Sequence, residues 1–210
     1  MAREGAAVTA DNRPVPSGVS LPVEKPMRAD ARRNHGRLIV AAREVFIEHG
    51  PEAPLDDIAK RAAVGPGTLY RHFPTRESLL VGVYQDDLET LSAQADKLAE
   101  SLPPEEALTA WLRLQLDYVK HRRGFSAAVK AIMGLEAPAM NYCRNLMRGS
   151  LIRLLEPAKA AGVIRAGVEA PDVLRLVHGV AMACESAPDD GERLLDYVID
   201  GLRPRPAATD

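Results

Sequence analysis

Helical periodicity runs through this chain from Leu38 to Leu202, and no other feature of the sequence constrains the fold as strongly. Apolar residues return every three or four positions, as on one face of an α-helix; Leu38, Ala42, Val45 and Phe46 begin the series. No segment alternates convincingly as a half-buried strand would, and there is no internal repeat. Aromatics make up only 4% of the residues, and the prevalence of alanine and leucine suits close-packed helices better than sheet. The expectation is an all-α fold of about nine helices.

Proline and glycine punctuate the pattern. A first helix is predicted over 30–49, stopped by Gly50. A second covers 55–62, with Pro54 at its start and Asp56 and Asp57 at its positive end. Three residues, Ala63, Val64 and Gly65, separate it from a short third helix over 66–72, opened by Pro66. A longer helix starts at Thr75 and runs to about 100, where Thr75, Glu77 and Ser78 form a polar cap short of a full capping box. After Pro103 and Pro104, helices are expected over 105–121, 125–135 and 138–160, the last with a kink near Pro157. Pro171 or Asp172 opens another, and Pro188 to Asp190 separate it from a final helix ending near Leu202. The organisation read from this pattern is a disordered tail over 1–26, a head over 27–76, a body over 77–203 and a frayed end over 204–210.

The net charge of -2 looks poor for a nucleic-acid partner until the chain is divided. Residues 27–76 hold nine Lys/Arg against six Asp/Glu, a net of +3, whereas 77–210 hold fifteen against twenty, a net of -5. A mildly basic head on an acidic body is compatible with local phosphate contact. Arg28, Arg32, Arg33 and Arg37 precede the apolar positions of the first helix, either as a solvated face or as an arm touching phosphates. Cys143 and Cys184 are far apart and read as buried, reduced thiols. No apolar run approaches the roughly 18 to 20 residues of a membrane span, and the first residues lack a signal peptide's apolar segment. A cytoplasmic protein without membrane association is therefore expected. No G-x-S-x-G and no E-x-x-H pairing occurs, so neither an enzyme nor a cofactor is expected.

Two short helices joined by three residues form a helix-turn-helix arrangement, whose second helix can enter a major groove about 12 Å wide. Gly67 and Thr68 keep its leading turn slim, and Tyr70, Arg71, His72 and Arg76 offer donors to bases or phosphates. Taken singly, Tyr70 reads as a half-buried core aromatic and His72 as an ordinary surface histidine. Their joint spacing after Gly67 points to an interface instead.

The stretches LIVAAREVFIEHG and LDDIAKRAAVGPGTLYRHFPTRESLL resemble the head of the tetracycline-repressor (TetR) family over about residues 35–81. That resemblance implies a three-helix DNA-binding head, a divergent helical body that binds a small-molecule effector, and a homodimer made by the last two helices. It also implies repression from a palindromic operator in double-stranded DNA, released by the effector. The family's base-reading positions fall on Pro66, Gly67 and Tyr70, with Arg71 in reach of a base or phosphate. Its phosphate-contacting positions fall on Thr68, Tyr70, His72 and Arg76, and its core positions on Leu69 and Phe73. Two departures stand out: Ala63 occupies the usual turn glycine, and Ala53-Pro54 replaces a capping Ser/Thr that touches phosphate.

In the body, Trp111, Tyr118, Phe125, Met133, Met140, Tyr142, Met147 and His178 are the larger or softer side chains. They could line a site for a largely apolar effector, or simply fill the core. The penultimate helix carries Leu174, Val177 and Ala181 and the last carries Leu195, Val198 and Leu202. Cover for these apolar faces comes from a two-fold partner or from the rest of the body. A body answering to a protein partner, or to nothing, stays open beside the effector reading, as does, more remotely, an all-helical enzyme or carrier.

Overall fold

The computed structural model describes residues 29–134, 138–185 and 187–204, apart from the side chains of Arg123, Met133 and Pro188. The tail expected over 1–26, the arginine at 28 and positions 205–210 lie outside the described residues. Those described form α1 (Ala29–His49), α2 (Leu55–Arg61), α3 (Pro66–His72), α4 (Arg76–Ser101), α5 (Pro104–Met133), α6 (Pro138–Ala160), α7 (Ala170–Ala183) and α8 (Gly191–Leu202). A 3-10 turn at Pro188–Asp190 leads into α8. No strand occurs among the described residues, and none of their helices is long and apolar enough to cross a membrane.

The all-α architecture matches the periodicity, with two local differences. The helices expected over 105–121 and 125–135 are one continuous α5 of 30 residues. Gly124 lowers helix propensity by about 1 kcal/mol relative to alanine, but α5 packs on α4, α6 and α7. Burial of Leu116, Phe125 and Val129 on both sides of the glycine carries the helix through it. The cap of α4 is also more complete than its sequence suggests. Thr75 Oγ1 accepts from the Ser78 amide at 3.1 Å, and Ser78 Oγ accepts from the Thr75 amide at 3.2 Å. Serine thus takes the place that Glu or Gln usually holds in a reciprocal capping box.

α1, α2 and α3 pack together, and α1 also rests on α4. The head's core continues into α4, because Gly82 lets that helix close on Phe73 and Ile39. A Cβ there would meet Phe73 at 2.9 Å and Ile39 at 3.2 Å. In the body, α4, α5 and α6 pack on one another, with α7 against α5 and α6, and α8 against α7 and α5. Trp111 is fully buried and donates its indole N–H to the Leu91 carbonyl at 2.9 Å, which satisfies its one polar atom.

The six apolar positions expected at a subunit interface divide in two. Val177, Ala181, Leu195 and Leu202 are buried in the protomer's own core, while Leu174 and Val198 are half-buried. The packing of α7 and α8 on α5 turns the first four inward. The outward apolar side chains of this pair are instead Leu176, Met182 and Tyr197.

Candidate nucleic-acid interface

α2 ends in a Schellman turn. The Val64 amide bonds back to the Ala59 carbonyl and the Ala63 amide to the Lys60 carbonyl, both at 3.0 Å. Ala63 at the centre of the turn has φ 50°, a left-handed conformation in which L side chains cost about 1–2 kcal/mol. Arg37 of α1 donates to the Ala63 carbonyl at 3.1 Å and ties the strained turn to the head. The chain then enters α3 at Pro66, with no side-chain cap at Gly65, and the Thr68 amide closes on the Gly65 carbonyl at 2.8 Å. No side chain caps α2 at Pro54 either.

α3 has two distinct faces. Leu69 is buried, as is Phe73 just past the end of the helix. Pro66, Gly67, Tyr70 and Arg71 face outward at successive helical positions, with Tyr70 48% exposed and Thr68 half-buried at the edge. Nothing in the protomer requires glycine at 67: its φ is not in the left-handed region, and a Cβ there would meet nothing within 4 Å. The slim leading turn therefore faces open space.

Two of the expected contact residues serve the head itself. One terminal nitrogen of Arg76 donates to the carbonyls of Pro51 at 2.9 Å and Ala53 at 2.6 Å, clamping the α1–α2 loop to the start of α4. His72 is half-buried, its ring 5.8 Å from that of His35, which stacks on Phe73 at 4.9 Å. Burial holds the His72 imidazole below its usual pKa, assisted by His35 and Arg71. On the outer side of the head, Arg61 pairs with Glu48 at 2.7 and 2.8 Å, and that pairing lowers the Glu48 pKa.

Of the larger body residues, Trp111, Phe125, Met140 and Met147 belong to the buried core, with Tyr118 packed against it. Tyr118 and Phe125 share a face of α5 with Trp111. Met140 and Met147 are buried on α6, and Met133 ends α5. Tyr142 is exposed on α6 and donates to Glu89 at 3.1 Å, and His178 is exposed on α7. Polar residues that the sequence left unremarked join head to body. Arg43 of α1 donates through Nε to Asp87 of α4 at 2.6 Å and also pairs with Asp86, while Arg122 of α5 lies 3.2 Å from Asp87. Phe46 of α1 meets Phe125 of α5 with ring centroids 5.8 Å apart.

The chain matches two family models: "Bacterial regulatory proteins, tetR family" over residues 38–83, and "Transcriptional regulator SbtR-like, C-terminal domain" over residues 103–204. The crystal structure of a TetR transcriptional regulator from Streptomyces coelicolor is similar at 39% identity and TM-score 0.70, covering 82% of this chain and 99% of its own. A TetR regulatory protein from Mycobacterium vanbaalenii is similar at 32% identity and TM-score 0.69, covering 85% of this chain and all of its own. An HTH-type transcriptional regulator of Staphylococcus aureus is 34% identical over 94 residues, 44% of this chain and 49% of its own length. The chain thus spans about half the length of that curated relative.

Proposed function

The chain belongs to the TetR family of DNA-binding transcriptional regulators, and from that premise we propose that it is a ligand-responsive repressor. It holds a palindromic operator as a homodimer and leaves it when a small molecule binds the body. The observation that carries the DNA half of this reading is the outward face of α3, with Pro66, Tyr70 and Arg71 beside Gly67, an exposed glycine that the protomer does not need. Tyr70 and Arg71 supply donors for bases or phosphates, and Gly67 admits the backbone close to the groove edge. Thr68, at the edge of that face, reaches a phosphate. Arg76 contributes by setting the entry of α4, and His72 by packing the end of α3. Neither Pro66 nor Gly67 has a hydrogen-bonding side chain, so part of the readout falls to DNA shape.

The subunits pair through α7 and α8, whose exposed Leu176, Met182 and Tyr197 would lie in the interface beside half-buried Leu174 and Val198. Sedimentation at micromolar protein is expected to return a dimer; a monomer alone overturns the pairing. The reading as a whole is tested by selecting bound sequences from random double-stranded DNA, with and without candidate metabolites. Enrichment of a two-fold symmetric site, lost with one class of metabolite, is the expected result. A pool without enrichment overturns the DNA reading, and an enriched site indifferent to every metabolite overturns the effector reading.

A further inference from the structure

Four polar atoms buried along one seam between α4 and α5 are short of hydrogen-bond partners: Gln115 Oε1 and Arg122 Nη1 have none, Asp87 Oδ2 has only its ion pair with Arg122, and the Tyr118 hydroxyl has only the Ser126 side chain. Asp87, Gln115 and Arg122 are each more than nine-tenths buried. Three of the four come from α5, where positions 115, 118 and 122 fall on one helical face. Asp87 of α4 closes the seam opposite, with its Oδ2 3.2 Å from Arg122 Nη2. A buried polar group without a partner is destabilising, and native chains keep few of them. A guest with complementary groups would satisfy all four at once.

The seam also defines the guest's chemistry. Arg43 and Arg122 are balanced by Asp86 and Asp87, so a charged guest would add an uncompensated charge to a buried site. Gln115 Oε1 and Asp87 Oδ2 accept and need donors, whereas Arg122 Nη1 donates and needs an acceptor. Burial, together with Asp87, pushes the Tyr118 pKa far up, so its hydroxyl stays protonated. From Gln115 to Arg122 the seam runs only about 10 Å along α5, which excludes a long chain. Trp111 and Phe125 border it on the same helix.

We propose that this seam binds the chain's effector, a compact uncharged molecule carrying hydroxyl or amide donors together with an acceptor, and that Asp87 and Arg43 relay its presence to the head. The inference rests on the regulator reading above and makes the effector more polar than the side chains of the body suggest. The relay follows from the contacts. Arg43 of α1 and Arg122 both donate to Asp87 Oδ1, so a guest that donates to Oδ2 turns and weakens the same carboxylate that anchors α1. α1 in turn packs on α3, with His35 against Phe73.

The test is titration calorimetry on the full chain without DNA, with 3-hydroxybenzamide as the probe and 3-hydroxybenzoate and toluene as its charged and apolar counterparts. Saturable binding of the amide with Kd of about 1 mM or tighter is expected, with benzoate and toluene weaker by about tenfold or more. Tyr118→Phe and Gln115→Leu, each close in shape to the native residue and checked for folding by thermal melts, are expected to weaken the amide by about fivefold or more. No binding at about 10 mM, equal binding of benzoate or toluene, or unchanged binding in both variants overturns the site. Because this arm contains no DNA, its failure is separate from failure of the operator selection. With a selected operator, amide at about its native Kd is expected to weaken DNA binding in the native chain and distinctly less in Tyr118→Phe, which it occupies less; no response, or equal responses, overturns the relay.

Discussion

Replacing Gly67 with alanine separates what α3 does for the fold from what it does for a partner. Inside the protomer the added methyl meets nothing within 4 Å, and φ is not in the left-handed region, so no strain opposes it. Alanine is favoured over glycine in a helix interior by about 0.5–1 kcal/mol. Gly67 is the second residue of α3, so the lower end applies, and thermal unfolding is expected to rise by about 1–2 °C. The groove edge is a different environment, because the methyl stands where the backbone must come closest to the bases. Displacing the leading turn costs about as much as a mismatched base pair, roughly 1–2 kcal/mol, or five- to thirty-fold in Kd. The assay pairs a thermal melt with fluorescence anisotropy on a selected operator at one fixed salt concentration, since affinity varies steeply with salt. Opposite signs, a firmer fold with weaker DNA binding, are the expected outcome. Unchanged operator affinity in a folded variant would refute the close approach of α3.

Three further expectations concern the head. Ala63→Gly relieves a left-handed strain of about 1–2 kcal/mol but adds about 0.4–1 kcal/mol of unfolded-state entropy, so urea melts should show a net gain of about 0.5–1 kcal/mol; a loss would count against the strain. Arg76→Ala removes two charge-assisted bonds to the α1–α2 loop and should lower stability by about 2 kcal/mol, whereas a purely phosphate-contacting role would leave the melt unmoved. The folded chain holds the His72 pKa below its ordinary 6.5, so the unfolded chain takes the proton more readily and stability falls as pH drops from 6.5 towards the folded value. His72→Gln should flatten that dependence, and an equal slope in both proteins would contradict it.

The outward face of α3 was legible because its signals are local. Gly65 and Pro66 set the start of the helix, and Leu69 and Phe73 mark its buried side. What remains on a seven-residue helix faces outward. Ala63 stood out only through the family resemblance, as an alanine at the usual turn glycine, and its left-handed φ of 50° is a finding of the structure. The sequence did not reveal the contacts that Arg76 and His72 make within the head. Both carry donors that suit phosphate, and nothing in their spacing reveals that the Pro51 and Ala53 carbonyls or the His35 ring lie within reach.

By itself, the sequence determined the helical class, most of the breaks between helices, the helix-turn-helix head and the residues on the outer face of α3. These follow from periodicity and from proline and glycine, which act within a few residues of where they stand. The tertiary structure alone decided that α5 continues through Gly124, that four of the expected interface residues are buried within the protomer, and that Asp87, Gln115, Tyr118 and Arg122 share one seam. Along the chain, a polar residue in a helix looks the same whether it faces water or a neighbouring helix. Only the packing of α4 against α5 removes the water, and with it the partners those four atoms would otherwise have.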